Sequence, residues 1–420
     1  MDTSAPVRIA RIITRLGVGG AERYVCALTA HLDPKAYRSW LISGQVQAAE
    51  RECSEFLSEA NVQPIYIKDI RRGLGFRDLK AAVTLSRLLE SIKPQIVETH
   101  TAKAGALGRL VTRMRWFNRR HQPRLIHTFH GHVFDKYFSG PVAGAFIGIE
   151  RFLAHFTDLV VTVSPSVRHE LIERYQIADA HKIRVVPLGF DFSWLNELPL
   201  HRGWLRARLQ ASEAAVVFGT VGRLAKIKNT AFLLRAFARL LDSVPRDSAV
   251  RNSAPIDARL VIIGDGELAD SLRALARQLN VSDRVLFCGW ELDRAKIFSD
   301  LDVTCLSSLN EGSPVCLIES LAAKVPVIAT RVGGVADVVS PRTDGELVEA
   351  GGEAAFAAAM LRLALSKERI SDARSNDVQN RYSIRRLVRD MEGIYEELME
   401  PGQAASVVPD TRMARFRGVE

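Results

Sequence analysis

A recurring alternation of short β-branched apolar runs with amphipathic stretches, set out twice along the chain, constrains this fold more than any other feature. In the first half the runs cover residues 7–15, 39–42, 64–67, 95–99, 124–129, 159–164 and 183–187. Strands that read as continuous apolar segments between helices pair in parallel and are covered on both faces, which predicts a doubly wound α/β domain. Around residues 189–212 a Pro- and Trp-containing stretch breaks the pattern. It restarts at 216–221 and continues through 259–263, 284–287, 302–306 and 326–330. A chain of 420 residues exceeds what one hydrophobic core usually supports. Two Rossmann-like parallel-sheet domains facing each other are therefore expected, residues 1–200 and 201–381, followed by a helix at 382–400 and a disordered tail at 401–420.

Composition narrows the partners. Lys and Arg total 57 against 48 Asp and Glu, a net charge of +9 that favours an anionic partner: nucleic acid, acidic lipid or nucleotide phosphates. Cys26, Cys53, Cys288, Cys305 and Cys316 are odd in number, lack CxxC spacing and sit mostly in apolar runs, so they read as reduced core thiols. Residues 1–6 lack the basic and apolar regions of a signal peptide, and no apolar run approaches the roughly 18 residues needed to span a bilayer. A cytoplasmic protein with at most peripheral membrane contact is expected. Residues 242–257 are polar, carry Pro245 and Pro255, and read as a surface insertion.

Four segments carry chemistry. Leu16-Gly17-Val18-Gly19-Gly20-Ala21-Glu22 follows the first strand and opens a helix, where backbone N–H groups and the helix dipole collect anions. A dinucleotide fingerprint would need Gly where Glu22 stands and an acidic residue where Ile42-Ser43-Gly44 ends the second strand; both requirements fail, which argues against a dehydrogenase. Gly222-Arg223-Leu224-Ala225-Lys226-Ile227-Lys228-Asn229 again ends a strand in Gly with cations behind it, a natural clamp for a diphosphate. In Asn310-Glu311-Gly312-Ser313-Pro314-Val315-Cys316-Leu317-Ile318-Glu319, Ser313 fits an N-cap and Pro314 the first helical position. That puts Glu311 on a loop and Glu319 in the first turns of a helix, where carboxylates accept hydrogen bonds from sugar hydroxyls. His127-Thr128-Phe129-His130-Gly131-His132 closes another strand. No Cys or carboxylate completes a zinc shell of standard spacing there, so no metal site is expected and contact with a sugar hydroxyl or an acceptor is the better reading.

Together these residues resemble retaining glycosyltransferase family 4, nearly over the whole chain to about residue 400. The order is that of the family: Gly-Gly-Ala-Glu at 19–22, His-Gly-His-Val-Phe at 130–134, Val-Ser-Pro-Ser at 163–166, Val-Pro-Leu-Gly-Phe-Asp at 186–191, Gly-Arg-Leu at 222–224, Gly-Asp-Gly-Glu at 264–267, then the paired glutamates. The resemblance implies the GT-B fold, with the last helix crossing back to the N-terminal domain. It implies that Arg223 and Lys228 hold the donor's diphosphate, Glu319 the ribose, and Glu311 with the backbone of Gly312, Ser313, Pro314 and Val315 the transferred sugar's surroundings. Gly19 and Gly20 would close over the phosphates, Gly289 and Trp290 border the base, and His130 hold the sugar's primary hydroxyl region. His130, Glu311, Arg223 and Lys228 are thus the catalytic candidates, with no metal and no further cofactor. The family retains anomeric configuration by front-face attack in which the departing phosphate takes the acceptor proton; Glu311 is the one side chain that could challenge as a nucleophile. Ser313-Pro314 replaces the Phe-Gly of many members, as in enzymes resembling those of surface-polysaccharide assembly. A UDP-sugar donor is favoured over GDP.

On the acceptor side, no acidic residue lies between Glu98 and Asp135, while Lys103, Arg109, Arg113, Arg115, Arg119, Arg120 and Arg124 gather around Trp116 and Phe117. Such a face suits an anionic membrane surface, and the apolar stretch at 137–156 suits a helix dipping among headgroups or buried. Lys103 and His132 are the acceptor-side candidates, for a lipid-linked or glycan acceptor. A nucleotide-sugar epimerase and an enzyme with a soluble small-molecule acceptor are the alternatives; nucleic acid is not an expected partner.

Overall fold

The computed structural model describes residues 5–46, 54–71, 73, 75–116, 122–131, 140–243, 256–341 and 343–400. His132, Cys53, the tail beyond 400 and most of the expected insertion lie outside them. Among the described residues, thirteen strands form two all-parallel sheets. The first holds β1 (Val7–Ile13), β2 (Tyr37–Ser43), β3 (Ile65–Tyr66), β4 (Ile96–His100), β5 (Arg124–Phe129), β6 (Leu159–Thr162) and β7 (Ile183–Val185) in the order β3-β2-β1-β4-β5-β6-β7. The second holds β8 (Val216–Val221), β9 (Ala258–Ile263), β10 (Val285–Gly289), β11 (Val303–Leu306), β12 (Val327–Thr330) and β13 (Gly345–Val348) in the order β10-β9-β8-β11-β12-β13. Every run expected from sequence is a strand. Only the edge strand β13, four residues opening on a glycine, was not foreseen.

Each sheet reverses its strand order once, between β1 and β4 and between β8 and β11, and ligands of such sheets bind outside the carboxyl ends at that point. Both reversals open toward the same crevice, since the loops after β1, β4 and β5 meet those after β8 and β11.

The last helix, Ile384–Met399, crosses to the N-terminal sheet. Ser383 caps it, accepting from Arg386 N at 3.3 Å. Leu387, Met391, Ile394 and Tyr395 recur at helical spacing and are buried in one core with Ile9, Val25, Leu28 and Tyr37. The outgoing and returning chains run side by side: Phe190 N donates to Tyr382 O at 2.8 Å and Ile384 N to Phe190 O at 3.0 Å. Gly189 permits the approach, because a Cβ there would lie 2.5 Å from Leu387 Cβ. At the helix's far end Arg184 grips Glu397 with two hydrogen bonds, 2.7 and 3.0 Å.

Beneath the crossover three polar groups are fully buried together. Arg11 Nε donates to Glu98 Oε2 at 2.9 Å, Arg11 Nη2 to Tyr395 OH at 3.0 Å, and Tyr395 OH to the same Glu98 Oε2 at 2.8 Å. Burial pushes the Tyr395 phenol well above its ordinary value, so it remains a donor. A charge pair taken so far from water is tolerable only when such hydrogen bonds complete it.

Truncating Leu387 to Ala removes a fully buried side chain from the crossover helix and is expected to cost about 2–5 kcal/mol. Urea unfolding followed by tryptophan fluorescence should show a clearly lower midpoint; a midpoint equal to wild type would mean that this helix does not hold the fold.

Candidate active site

The N-terminal wall of the crevice starts after β1. Gly19 is extended and precedes the helix Gly20–His31; a Cβ on Gly19 would meet Glu22 Oε2 at 2.4 Å, and one on Gly20 would lie 3.0 Å from Val315 Cγ2 across the crevice. One turn later Arg23 Nη1 donates to Glu319 Oε1 at 2.9 Å, tying the two lobes together. From the ends of β4 and β5 come His100 and His130, whose Nδ1 and Nε2 face each other at 3.1 Å. The ring of Tyr24 stands edge-on to both, with centroids 5.8 and 4.9 Å away.

The C-terminal wall begins at Gly222, whose φ of +153° turns the chain sharply out of β8. Arg223 follows and makes no ion pair among the described residues. Lys228 ends the short 3-10 turn Lys226–Lys228, and its Nζ lies 2.6 Å from Glu311 Oε1, which also accepts from Ser308 Oγ at 2.6 Å. The loop of Gly289 (φ +73°) and Trp290 neighbours this one: Gly264 N donates to Gly289 O at 2.8 Å while Leu224 N donates to Asp265 O at 2.9 Å.

Glycines make the seam between the lobes. A Cβ on Gly312 would lie 2.1 Å from His130 O and 2.8 Å from Gly131 Cα, and one on Gly334 would lie 1.9 Å from Gly312 O and 2.7 Å from Ser164 Oγ. Across the same seam Asp337 accepts from Ser166 N at 2.9 Å.

The segment between the glutamates corrects the capping expectation. The helix is Val315–Ala322 with Pro314 at the N-cap and no side-chain cap. The Ser313 hydroxyl is buried without a hydrogen-bond partner. Because Gly312 and Gly334 press the loop against Gly131 and Ser164, Ser313 is held before the helix axis rather than at its cap. Helix N-terminal amides and an unsatisfied hydroxyl therefore sit beside the Lys228–Glu311 pair. That is a cradle for an anion carrying hydroxyl groups. Glu319, one turn in, is buried, and Cys316 beside it is an inert thiol whose pKa burial pushes up to about 12.

Thus Gly19, Gly20, His130, Lys228, Glu311, Gly312, Ser313, Val315 and Glu319 converge, and Arg223 shares the Lys228 loop. Sequence reasoning missed Arg23, His100 and Tyr24. His100 ends β4 as His130 follows β5, a signal that could have found it; Arg23 declares itself only by its contact with Glu319, 296 residues away in sequence.

On the acceptor side the cations meet partners from other elements. Lys103 is bound to Asp78 Oδ1 at 2.6 Å and to Gly73 O. Arg109 is fully buried, bonded to Glu150 Oε2 at 2.6 Å and Gly105 O at 2.9 Å. Arg115 pairs with Glu90 and Arg124 with Asp158 at 3.2 Å, while Trp116 is buried. The fold brings carboxylates from other elements onto the described part of a run that lacks them in sequence; Phe117, Arg119 and Arg120 lie outside the described residues. What the surface also offers is apolar: Met114 (79% exposed) and Leu110 on the helix Ala102–Trp116, and Val142, Ile149 and Phe152 (61% exposed) on the helix Gly140–Ala154.

In Gly312→Ala the added methyl would meet His130 O and is expected to hold the lobes apart. Small-angle scattering should give a larger radius of gyration than wild type, and an unchanged radius would sink this account of the seam.

Comparison with known proteins gives the geometry its context. A family model described as Glycosyltransferase Family 4 matches residues 18–194, and one described as Glycosyl transferases group 1 matches residues 215–366. The chain is 27% identical over 351 residues to an Escherichia coli UDP-Gal:alpha-D-GlcNAc-diphosphoundecaprenol alpha-1,3-galactosyltransferase, covering 82% of this chain and 86% of that one. It is 30% identical over 361 residues to a D-inositol 3-phosphate glycosyltransferase of Geodermatophilus obscurus, covering 81% and 76%. Among solved structures, Anabaena HepE in complex with UDP and glucose superposes with a TM-score of 0.73 at 17% identity, covering 93% of this chain and 99% of that one. With both of its sheets matched in sequence and the crevice between them built from the paired glutamates, the cationic loop and the glycine seam, this chain belongs to glycosyltransferase family 4 and has the GT-B fold.

Proposed function

We propose that the chain transfers a hexose or N-acetylhexosamine from a UDP-sugar to a lipid-diphosphate-linked or glycan acceptor during cell-surface polysaccharide assembly, retaining the anomeric configuration. The observation that carries this reading is the Lys228–Glu311 pair, 2.6 Å apart, beside Arg223 and the amide end of Val315–Ala322. In that arrangement the carboxylate preorganises Lys228, and Arg223 adds a forked donor. As the glycosidic bond breaks, negative charge grows on the leaving diphosphate, and fixed cations and helix amides stabilise it without reorganising. Because side chains supply that compensation, the reaction needs no metal ion. The departing phosphate then takes the proton of the incoming hydroxyl on the same face. Glu319 keeps acceptor capacity beyond Arg23 for the ribose hydroxyls, and the loop at Gly289 and Trp290 borders the base.

The UDP-sugar and the lipid-diphosphate acceptor are supported by the Escherichia coli relative, whose name specifies both, and by the UDP and glucose bound in the HepE structure. A cytoplasmic enzyme lying peripherally on the inner membrane face fits the exposed apolar residues of Ala102–Trp116 and Gly140–Ala154; no described helix is long and apolar enough to cross a membrane.

Screening nucleotide sugars by thermal shift should find a stabilising UDP-sugar. Lys228→Ala is expected to weaken its binding about 10- to 100-fold, the loss of a charge-assisted contact, and Glu319→Ala to weaken it as well. Unchanged binding in both variants would refute the site. Separately, replacing Met114 and Phe152 by Ser should reduce co-sedimentation with anionic vesicles, and undiminished co-sedimentation would exclude this face as the membrane contact.

A further inference from the structure

His130 does not stand alone at the seam; it ends a chain of buried polar groups that begins at the crossover helix. Tyr395 OH and Arg11 Nε both donate to Glu98 Oε2, at 2.8 and 2.9 Å. That leaves Glu98 Oε1 and His100 Nε2 facing each other 3.5 Å apart, an electrostatic contact rather than a hydrogen bond, and neither atom has a hydrogen-bond partner. His100 Nδ1 then faces His130 Nε2 at 3.1 Å, and His130 Nδ1 is buried with no partner. His127, the third imidazole nearby, is bonded to Thr99 Oγ1 at 2.9 Å and takes no part.

We infer that Glu98, acting through His100, fixes His130 as the Nε2–H tautomer, so that His130 Nδ1 presents a lone pair, a hydrogen-bond acceptor and never a donor, at the sugar end of the crevice. This rests on the reading of the crevice as a sugar-nucleotide site.

The direction of the chain follows from which atoms can donate. An ionised carboxylate only accepts, and Oε2 already takes hydrogens from a guanidinium and a phenol. Oε1 can therefore only accept, and a lone pair on His100 Nε2 turned toward it across 3.5 Å would be repelled, which favours the His100 proton on Nε2. Burial holds both His100 and His130 well below the ordinary imidazole range, the Arg11 charge adding to the effect at His100. Each ring is thus neutral and carries one proton. With His100 Nδ1 bare, the 3.1 Å contact is a hydrogen bond only if His130 Nε2 donates. His130 Nδ1 is left bare in turn. Tyr24 stands edge-on to both imidazoles.

An acceptor at this place selects for a ligand that donates. A sugar hydroxyl does so; a carbonyl or carboxylate at the same position would meet lone pair with lone pair. The chain therefore confers a preference for hydroxylated over oxidised sugars at that carbon, and Glu98 and His100 are positioning residues that touch no substrate. It also links that preference to the crossover helix through Tyr395.

The substitution Glu98→Gln reverses the chain. Arg11 and Tyr395 both donate to the atom at Oε2, so the amide oxygen must stay there and the NH2 group falls against His100 Nε2. His100 then carries its proton on Nδ1, donates to His130 Nε2, and forces the His130 proton onto Nδ1. His100→Leu leaves the Arg11, Glu98 and Tyr395 contacts intact and removes only the link, so His130 should populate both tautomers.

Two-bond nitrogen–proton correlation spectra of the full chain labelled with 15N-histidine, with His130 identified by its loss in His130→Ala, report the tautomer directly and without substrate. Expected are Nε2–H at His130 in wild type, Nδ1–H in Glu98→Gln and a mixture in His100→Leu. The KM for the UDP-sugar should rise about 10-fold in Glu98→Gln, the usual worth of one hydrogen bond, with the affinity for UDP alone unchanged. Nδ1–H at His130 in the wild-type spectrum overturns the proposal whatever the variants do, as does an unchanged tautomer in folded Glu98→Gln. A reversed tautomer that leaves KM at the wild-type value supports the lock and refutes the sugar contact instead.

Discussion

The architecture depends on one buried contact, the meeting of Arg11, Glu98 and Tyr395 beneath the last helix. Arg11 and Glu98 belong to neighbouring strands of the N-terminal sheet and would be costly charges in its interior without a third group to complete their bonding. Tyr395 supplies it from a helix that follows the whole second sheet in sequence. Leu387, Met391 and Ile394 provide apolar burial around it. Correct placement of the C-terminal lobe, and with it the distances from Gly20 to Val315 and from His130 to Gly312, follows from that return.

How much of this was legible in the sequence depended on range. Strands announced themselves because a buried parallel strand must be apolar throughout, and residues 7–15 or 216–221 have few other uses. Loop residues at the carboxyl ends of β8 and β11 were legible because doubly wound sheets bind there, so Lys228 and Glu311 could be named before their 2.6 Å contact was seen. The cap was misread, since Ser313-Pro314 has the right residues for an N-cap and first turn, yet the seam glycines on either side decide where the helix starts. Packing from outside the segment overrode local preference.

Charge was the least legible property. Arg109 and Arg124 sit in a stretch without a single carboxylate, and linear composition made that stretch a basic surface. The fold sets Glu150 against one and Asp158 against the other, contacts spanning 41 and 34 residues. Net charge survives folding, but its distribution over the surface is a tertiary property. The same holds for Glu98, an unremarked residue within a strand until His100, Arg11 and Tyr395 surround it.

The two passages of the chain between the lobes are hydrogen-bonded neighbours, Phe190 receiving from Ile384 and donating to Tyr382. Two connections far apart would brace the lobes like a frame with struts at both ends; two that coincide make a single pivot line. Any swing of one lobe against the other would then turn about Phe190 and Tyr382, and a small rotation there would be multiplied by the lever arm at points far from that line.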